Sequence, residues 1–419
     1  MIKRRLGIIF GPIICALVLL AGLFFGPWKI NNHQPATLEQ ASTAMTDAVF
    51  QGDMIKNEAI ASGKYVAFFG SSELNRISSF HPSVLAQKYK RGYTPFLLGA
   101  AGTQSLTQYS IIQSMAKELA GKKAIFVVSP QWFVPKGIKE DYFNHHYSKQ
   151  HVYRWLTSME HVSDTDKYYA DRLLSFRKVA EDTLTASSLK EVCAGHLPTA
   201  WQVTQMNLQL TLLTREDDLF SGIGLQYNLQ DKIEHAAARL PETDNRHKLH
   251  ALANEQGQQE TSNNRFGIKN SFYNAHLKNK INKMKQSQSN WEYRYGPEYS
   301  DFQLVLNAFA ENNVDVLFII PPINQKWMDY TGLPQSVLRG FDKKIRHQLD
   351  SQGFTSIDDL SDQGNVDYFM EDTIHLGWQG WLTADEQIKT FLAGPTHTPR
   401  YKINNQFLSK DWQEQDPQE

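Results

Sequence analysis

The chain has 419 residues, 41% hydrophobic and 21% charged, a composition that excludes both a disordered chain and a polytopic membrane protein. Lys plus Arg is 43 against 44 for Asp plus Glu, a net charge of -1, so a protein living by phosphate neutralisation along nucleic acid is not expected. Two cysteines, Cys15 and Cys193, exclude a disulfide framework and a thiolate zinc finger.

Residues 6–28 (LGIIFGPIICALVLLAGLFFGPW) carry no charge. At about 1.5 Å per residue they give roughly 34 Å of helix, enough for a hydrocarbon core of about 30 Å. Lys3, Arg4 and Arg5 precede the run, which predicts a cytoplasmic N-terminus at 1–5 and an external remainder. The competing reading is a cleaved signal peptide. The length of the run and the lack of a small-residue cleavage site favour an uncleaved, single-pass anchor. Residues 29–62 are polar with helical stretches and are expected as a stalk.

Five β-prone apolar runs follow, bounded by Gly or Pro: KYVAFFG at 64–70, YTPFLLG at 93–99, KAIFVVSP at 123–130, VDVLFIIPP at 314–322 and GFTSIDDL at 353–360. Near-continuous Val, Ile and Phe suits strands buried on both faces of a parallel sheet. Helical stretches at 106–121 and 301–313 lie between them, which predicts an α/β layered domain over 63–395. The span 140–295 is polar and has no strand-like run; it is expected as a helical insertion over one side of the active-site edge. Within it, HLKNKINKMKQSQSN at 276–290 is basic, a solvated helix face or a surface for lipid heads or an anionic polymer. Residues 396–419 read as a polar, peripheral tail.

Two motifs carry chemistry. The first strand runs into Gly70-Ser71-Ser72-Glu73, and a strand that ends at Gly-x-Ser and turns into a helix exposes a hydroxyl at the carboxyl edge of the sheet. The second, Glu371-Asp372-Thr373-Ile374-His375, lies some 300 residues on. Three residues apart on a turn, a carboxylate reaches Nδ1 of the imidazole and leaves Nε2 free for a hydroxyl. Each motif alone has a structural explanation, a helix cap or a buried His. His145–His146 and His247-x-x-His250 lack a metal-binding setting, so neither a metal nor a cofactor is expected.

Together and in this order, the motifs resemble the SGNH/GDSL hydrolase fold, a flavodoxin-like sheet. That resemblance implies five parallel strands in the order 2-1-3-4-5. It makes Ser72 the nucleophile, His375 the general base and Asp372 its orienter. It also implies an oxyanion hole from the Ser72 and Gly102 N–H groups, with Gln131 where the fold normally supplies Asn. FFGSSEL, LLGAAGTQSL, VVSPQWF, IIPPINQKW and EDTIHLGWQGW, behind an N-terminal anchor, further resemble the DltD family of Gram-positive bacteria. The family implies D-alanyl ester transfer from a D-alanyl donor to a teichoic acid acceptor outside the membrane. The partners it implies are a membrane O-acyltransferase and the D-alanine carrier system.

Core packing is the default reading for Trp132, Phe133, Trp327, Trp378 and Trp381, with the wall of a substrate groove the alternative for each. Ser71 is a further candidate for the groove; Glu73 and Glu371 are read first as solvated carboxylates and, as the alternative, as the group that attracts the D-alanyl ammonium. Two rival functions stand beside the enzyme: a non-catalytic, membrane-anchored scaffold, and an O-acyl esterase of wall polysaccharide. Only catalysis requires Ser72, His375 and Asp372 to converge.

Overall fold

The computed structural model describes the backbone of residues 2–26 and 34–416, and their side chains except those of 2–9 and 25. Five parallel strands form one sheet: β1 (Tyr65–Phe69), β2 (Thr94–Leu98), β3 (Lys123–Val127), β4 (Asp315–Ile320) and β5 (Ile357–Asp359). Their order is β2-β1-β3-β4-β5. Phe69 pairs with Leu98 on one side and Phe126 on the other, so β1 is an interior strand flanked on both sides at its terminus. Side-chain alternation splits the core into two layers. Ala67, Phe69, Phe96, Phe126 and Phe318 face the helices Ser105–Ser114, Glu298–Glu311 and Gln335–Asp350. Phe68, Leu97, Ile125, Leu317 and Ile319 face Pro82–Lys88 and Trp378–Ala393. Strands with apolar residues on both faces have no solvated side, which is why their sequences read as unbroken apolar runs.

The expected helix at 106–121 breaks at Met115 (φ -123°, ψ 18°) into Ser105–Ser114 and Ala116–Leu119. Among the described residues, the span 140–295 contains no strand. It does not sit over one side of the site. Val152, Tyr169, Leu189 and Met206 join the first core layer, whereas Ile233, Ala237, Leu249 and Ala253 join the second. A third piece, with Phe266, Ile268 and Leu277, forms a small core of its own against Trp327. The insertion therefore wraps both faces of the sheet.

Two peripheral expectations are corrected. Within the expected stalk at 29–62, residues 29–33 lie outside the described residues. The rest folds into short helices that bury Leu38, Val49, Phe50, Ile55 and Ile60 in the first layer. The tail at 396–419 likewise buries Phe407, Leu408 and Trp412 there, and its last three residues lie outside the described ones. Both segments are polar on average, yet their few large apolar residues sit where the sheet's first face needs cover.

A helix spans Ile2–Phe25, and Phe10, Ile13, Leu17, Val18 and Leu19 on it are exposed. Among the described residues no helix is long and apolar enough to cross a membrane. Residues 27 and 28 of the expected anchor lie outside the described residues, as do the side chains of 6–9.

Candidate active site

β1 ends at Phe69, and the chain turns through Gly70 and Ser71 into a short 3-10 helix, Ser72–Asn75. The turn is held from outside. The Thr103 hydroxyl donates to the Gly70 carbonyl at 2.7 Å, and Gln108 donates its amide to the same carbonyl and to that of Leu98. Gly99 lets the β2 end approach: a Cβ there would come within 2.6 Å of the Gly70 carbonyl carbon. Both chain ends are thereby fixed at the carboxyl edge of the sheet, where open α/β folds place their sites.

The other half comes from the loop after β5. Met370 and Leu376 form an antiparallel bridge, and the Glu371 N–H donates to the His375 carbonyl at 3.0 Å. This closes a tight loop over 371–375. Asp372 Oδ1 accepts from the N–H groups of Ile374 (2.9 Å) and His375 (3.0 Å), which leaves Oδ2 to meet His375 Nδ1 at 2.7 Å. His375 Nε2 lies 2.8 Å from Ser72 Oγ. Ser72, His375 and Asp372 thus form one connected line, with Asp372 and His375 buried and Ser72 half-buried.

Burial pushes the His375 imidazole down, but the charge and hydrogen bond of Asp372 outweigh it, and its pKa is raised above 6.5. Burial pushes Asp372 up, but His375, the backbone N–H bond and Arg76 hold it below the usual carboxylate value. The pair therefore fixes the tautomer with a proton on Nδ1, leaving Nε2 to accept from the serine.

The second block contributes Gly102, at φ +89°. A Cβ there would strike the Tyr142 ring at 2.6 Å, so both conformation and space demand glycine. Among the described residues, neither the Ser72 nor the Gly102 N–H donates to a protein acceptor. Gln131 lies in the short helix Pro130–Trp132, and its Oε1 is buried without a partner.

The candidate groove residues lie elsewhere. Trp132 is 2% exposed and meets Phe126 edge-on at 6.2 Å in the first core layer, where Phe133 is also buried. Trp378 and Trp381 are each 1% exposed in the second layer, and Trp327 is buried in the third small core. Aromatic rings next to motifs were needed to fill layers between sheet and helix, not to wall a groove. Glu73 is buried, and its Oε1 accepts from the Ser71 N–H at 2.6 Å. Burial raises its pKa, although Ser71 and Glu73 backbone bonds oppose the rise. It buttresses the turn and offers no exposed charge to an ammonium. The Ser71 hydroxyl donates to the Ala100 carbonyl at 3.1 Å, so it ties the two glycine-containing loops together.

Arg76 was not singled out by sequence reasoning. Its guanidinium lies 3.8 Å from both Glu371 and Asp372 and 5.5 Å from the Phe272 ring. Burial raises the Glu371 pKa to about 7, Asp372 adds to the rise, and Lys269 and Arg76 oppose it. Glu298, also missed, accepts from the Ser105 N–H at 2.8 Å behind the second block. Arg76 closes the short helix that Ser72 opens and Glu298 opens the helix before β4, and neither residue type marks a role at its position.

A serine, imidazole and carboxylate in line at the carboxyl edge of a 2-1-3-4-5 parallel sheet, beside two unused N–H groups, define an α/β protein equipped for nucleophilic acyl chemistry. The DltD protein family model matches residues 42–393, and the chain belongs to that family. It is 44% identical to Protein DltD of Lacticaseibacillus rhamnosus over 97% of this chain and 96% of the relative. It is 30% identical to Protein DltD of Bacillus subtilis (strain 168), covering 91% of this chain and 96% of that one. Protein DltD of Staphylococcus aureus (strain NCTC 8325 / PS 47) is 26% identical over 92% of this chain and 95% of its own.

Proposed function

We propose that the chain is an extracytoplasmic serine acyltransferase, with esterase capacity, that moves D-alanyl groups onto teichoic acid through an acyl-serine. The observation that carries it is the 2.8 Å contact of Ser72 Oγ with His375 Nε2, backed by Asp372 at 2.7 Å. Ser72 Oγ attacks the donor's carbonyl as its proton passes to His375 Nε2. The carbonyl oxygen, briefly anionic, is met by the Ser72 and Gly102 N–H groups and the Gln131 amide. Collapse expels the donor's thiol or alcohol, which takes the proton from His375 and leaves the acyl-serine. An acceptor hydroxyl then gives its proton to His375 and attacks the ester, and Ser72 Oγ recovers the proton as it leaves. One ester replaces another, so the second half is close to balanced in energy and its outcome depends on excluding water.

Membership of the DltD family supports the pathway, and the uncharged run at 6–28 supports a single anchor with the N-terminus inside. The partners in this reading are the membrane O-acyltransferase and the D-alanine carrier system. Ser72→Ala in cells tests it: polymer D-alanylation should be lost while the protein stays at wild-type level. Full D-alanylation by this variant would instead favour a scaffold.

A further inference from the structure

From 261 to 291 the chain has no Asp or Glu, yet it carries Arg265, Lys269, Lys278, Lys280, Lys283 and Lys285, in a protein whose net charge is -1. Lys278, Lys280, Lys283 and Lys285 are exposed, and none has a carboxylate partner among the described residues. Like charges this close repel, and the fold supplies no acid to offset them. The ridge is nevertheless fixed. Leu277 is buried with Phe266, Ile268 and Trp327. Beyond it, the N–H groups of Gln286 and Gln288 donate to the carbonyls of Tyr330 and Thr331, at 3.0 and 2.8 Å. A π-turn over Tyr273–Leu277 sets the direction in which the lysines leave.

This ridge leads to the serine. The Phe272 ring lies 4.8 Å from that of His276 and 5.5 Å from the Arg76 guanidinium, which is 3.8 Å from Asp372. Lys269 pairs with Glu260 at 3.2 Å and approaches Glu371, one residue from Asp372, to 3.9 Å, and its own N–H donates to the Glu371 carbonyl at 2.7 Å. We infer that Arg265, Lys269 and the four lysines at 278–285 form the docking surface for a flexible phosphodiester polymer, which passes Arg76 to present its hydroxyls at Ser72. This rests on the acyl-transfer reading above, and adds where the acceptor lies.

A lipid headgroup surface is less favoured by the placement. The helix Ile2–Phe25 meets the molecule elsewhere, where Arg215 donates to the Leu23 carbonyl at 3.0 Å. The exposed apolar side chains Trp201, Leu208, Ile223 and Tyr227 belong to that part of the insertion. Between 261 and 291, among the described residues, the exposed large apolar side chain is Trp291, at the far end from Lys269, and none lies among the four lysines.

The test uses the full-length protein in detergent, a synthetic poly(glycerol phosphate) oligomer, and a variant with Lys278, Lys280, Lys283 and Lys285 each changed to Gln. The variant should bind the oligomer about ten- to a hundredfold more weakly, the sum of four screened ion contacts. The slope of log affinity against log salt should shrink by roughly 2–3. Fluorophosphonate labelling of Ser72 and hydrolysis of a small ester should be unchanged, because the ridge touches neither. Ser72→Ala should bind the oligomer as wild type does. Unchanged oligomer binding by the lysine variant overturns the inference, as does a loss confined to phosphatidylglycerol vesicles. A wild-type protein that binds the oligomer but is neither labelled nor hydrolytic would leave the ridge standing and sink the acyl-transfer reading.

Discussion

Among the described residues, two sets of serine, histidine and aspartate lie within contact distance, and the proposed chemistry falls on only one of them. In the first, Ser72 starts a helical turn at the sheet edge, and His375 lies between it and Asp372. In the second, Ser110 Oγ lies 3.2 Å from His151 Nδ1, and His151 Nε2 lies 3.2 Å from Asp53. Ser110 sits inside the helix Ser105–Ser114, where backbone N–H groups bond within the helix and none is free for an oxyanion. Asp53 is shared among Lys56, Arg154 and Gln150. Burial lowers the His151 pKa and nearby Lys56 lowers it further, against the pull of Asp53. For His375 the balance goes the other way, because Asp372 serves that imidazole and no buried lysine competes. Residue type and distance alone do not make a catalytic unit. What separates the two sets is the N–H groups at Ser72 and Gly102 that meet no protein acceptor among the described residues, and a carboxylate oxygen, Asp372 Oδ2, aimed at His375 Nδ1 at 2.7 Å.

That contrast is broken most forcefully by activity. Ser72→Ala and His375→Ala should each reduce acyl transfer by several orders of magnitude, and Asp372→Asn by less. Ser110→Ala should leave the rate within experimental error, as read by hydrolysis of a small ester. A large loss in Ser110→Ala would erase the distinction between the two sets.

Stability should show the reverse pattern. Lys56 is fully buried, and burial lowers its pKa while Asp53 and Asp217 hold it up. Asp53 itself is driven up by burial, yet Lys56, His151 and Arg154 together hold it far below the usual carboxylate range. Asp53→Asn removes one of the two carboxylates that hold Lys56 up and should cost about 3–5 kcal/mol in denaturant unfolding, the scale for breaking a buried ion pair by removing one partner. A loss under about 1 kcal/mol would show that the cluster is no structural anchor.

The smallest effect is on pH dependence. His375 must be neutral to take the serine proton, and its pKa is raised above 6.5, so activity should fall as pH drops through that raised value. The associated charge-pair stability has the opposite sense: it is present below the unfolded value and lost as pH rises through the folded one. Arg76 opposes protonation of His375, so Arg76→Gln should move the activity limb to higher pH. The plateau rate should change by about tenfold or less, the size of a ~1.4 kcal/mol contact. A limb that stays in place would remove Arg76 from the electrostatics of the site.

β1 to β4 were legible because burial on both faces leaves each a mostly apolar run, whereas β5, Ile357–Asp359 at the sheet edge, carries two aspartates; all five strand ends match the predicted ones to within a few residues. Ser72, Asp372 and His375 were legible as motifs because the chemistry needs those types at a strand end and on a short turn. The packing of 34–62 and of the tail was not. A few residues such as Phe50 and Trp412 decide it, and average polarity hides them. For the tryptophans core packing, the default reading, holds, and the groove alternative fails because adjacency to a motif says nothing about which way a ring points; Trp132 points into the core. Arg76 sits beside Ser72 in sequence, but its contacts to Glu371 and Asp372, like those of Gln108 to Gly70, join segments far apart in the chain, so no local pattern announces them.

The central claim, that Ser72 is the nucleophile, is tested most directly by reacting the full-length protein with a fluorophosphonate and locating the adduct by peptide mass spectrometry. The account predicts a single adduct on Ser72 that disappears in His375→Ala. An adduct on Ser71 or Ser110, or none under conditions where a small ester is hydrolysed, would contradict it.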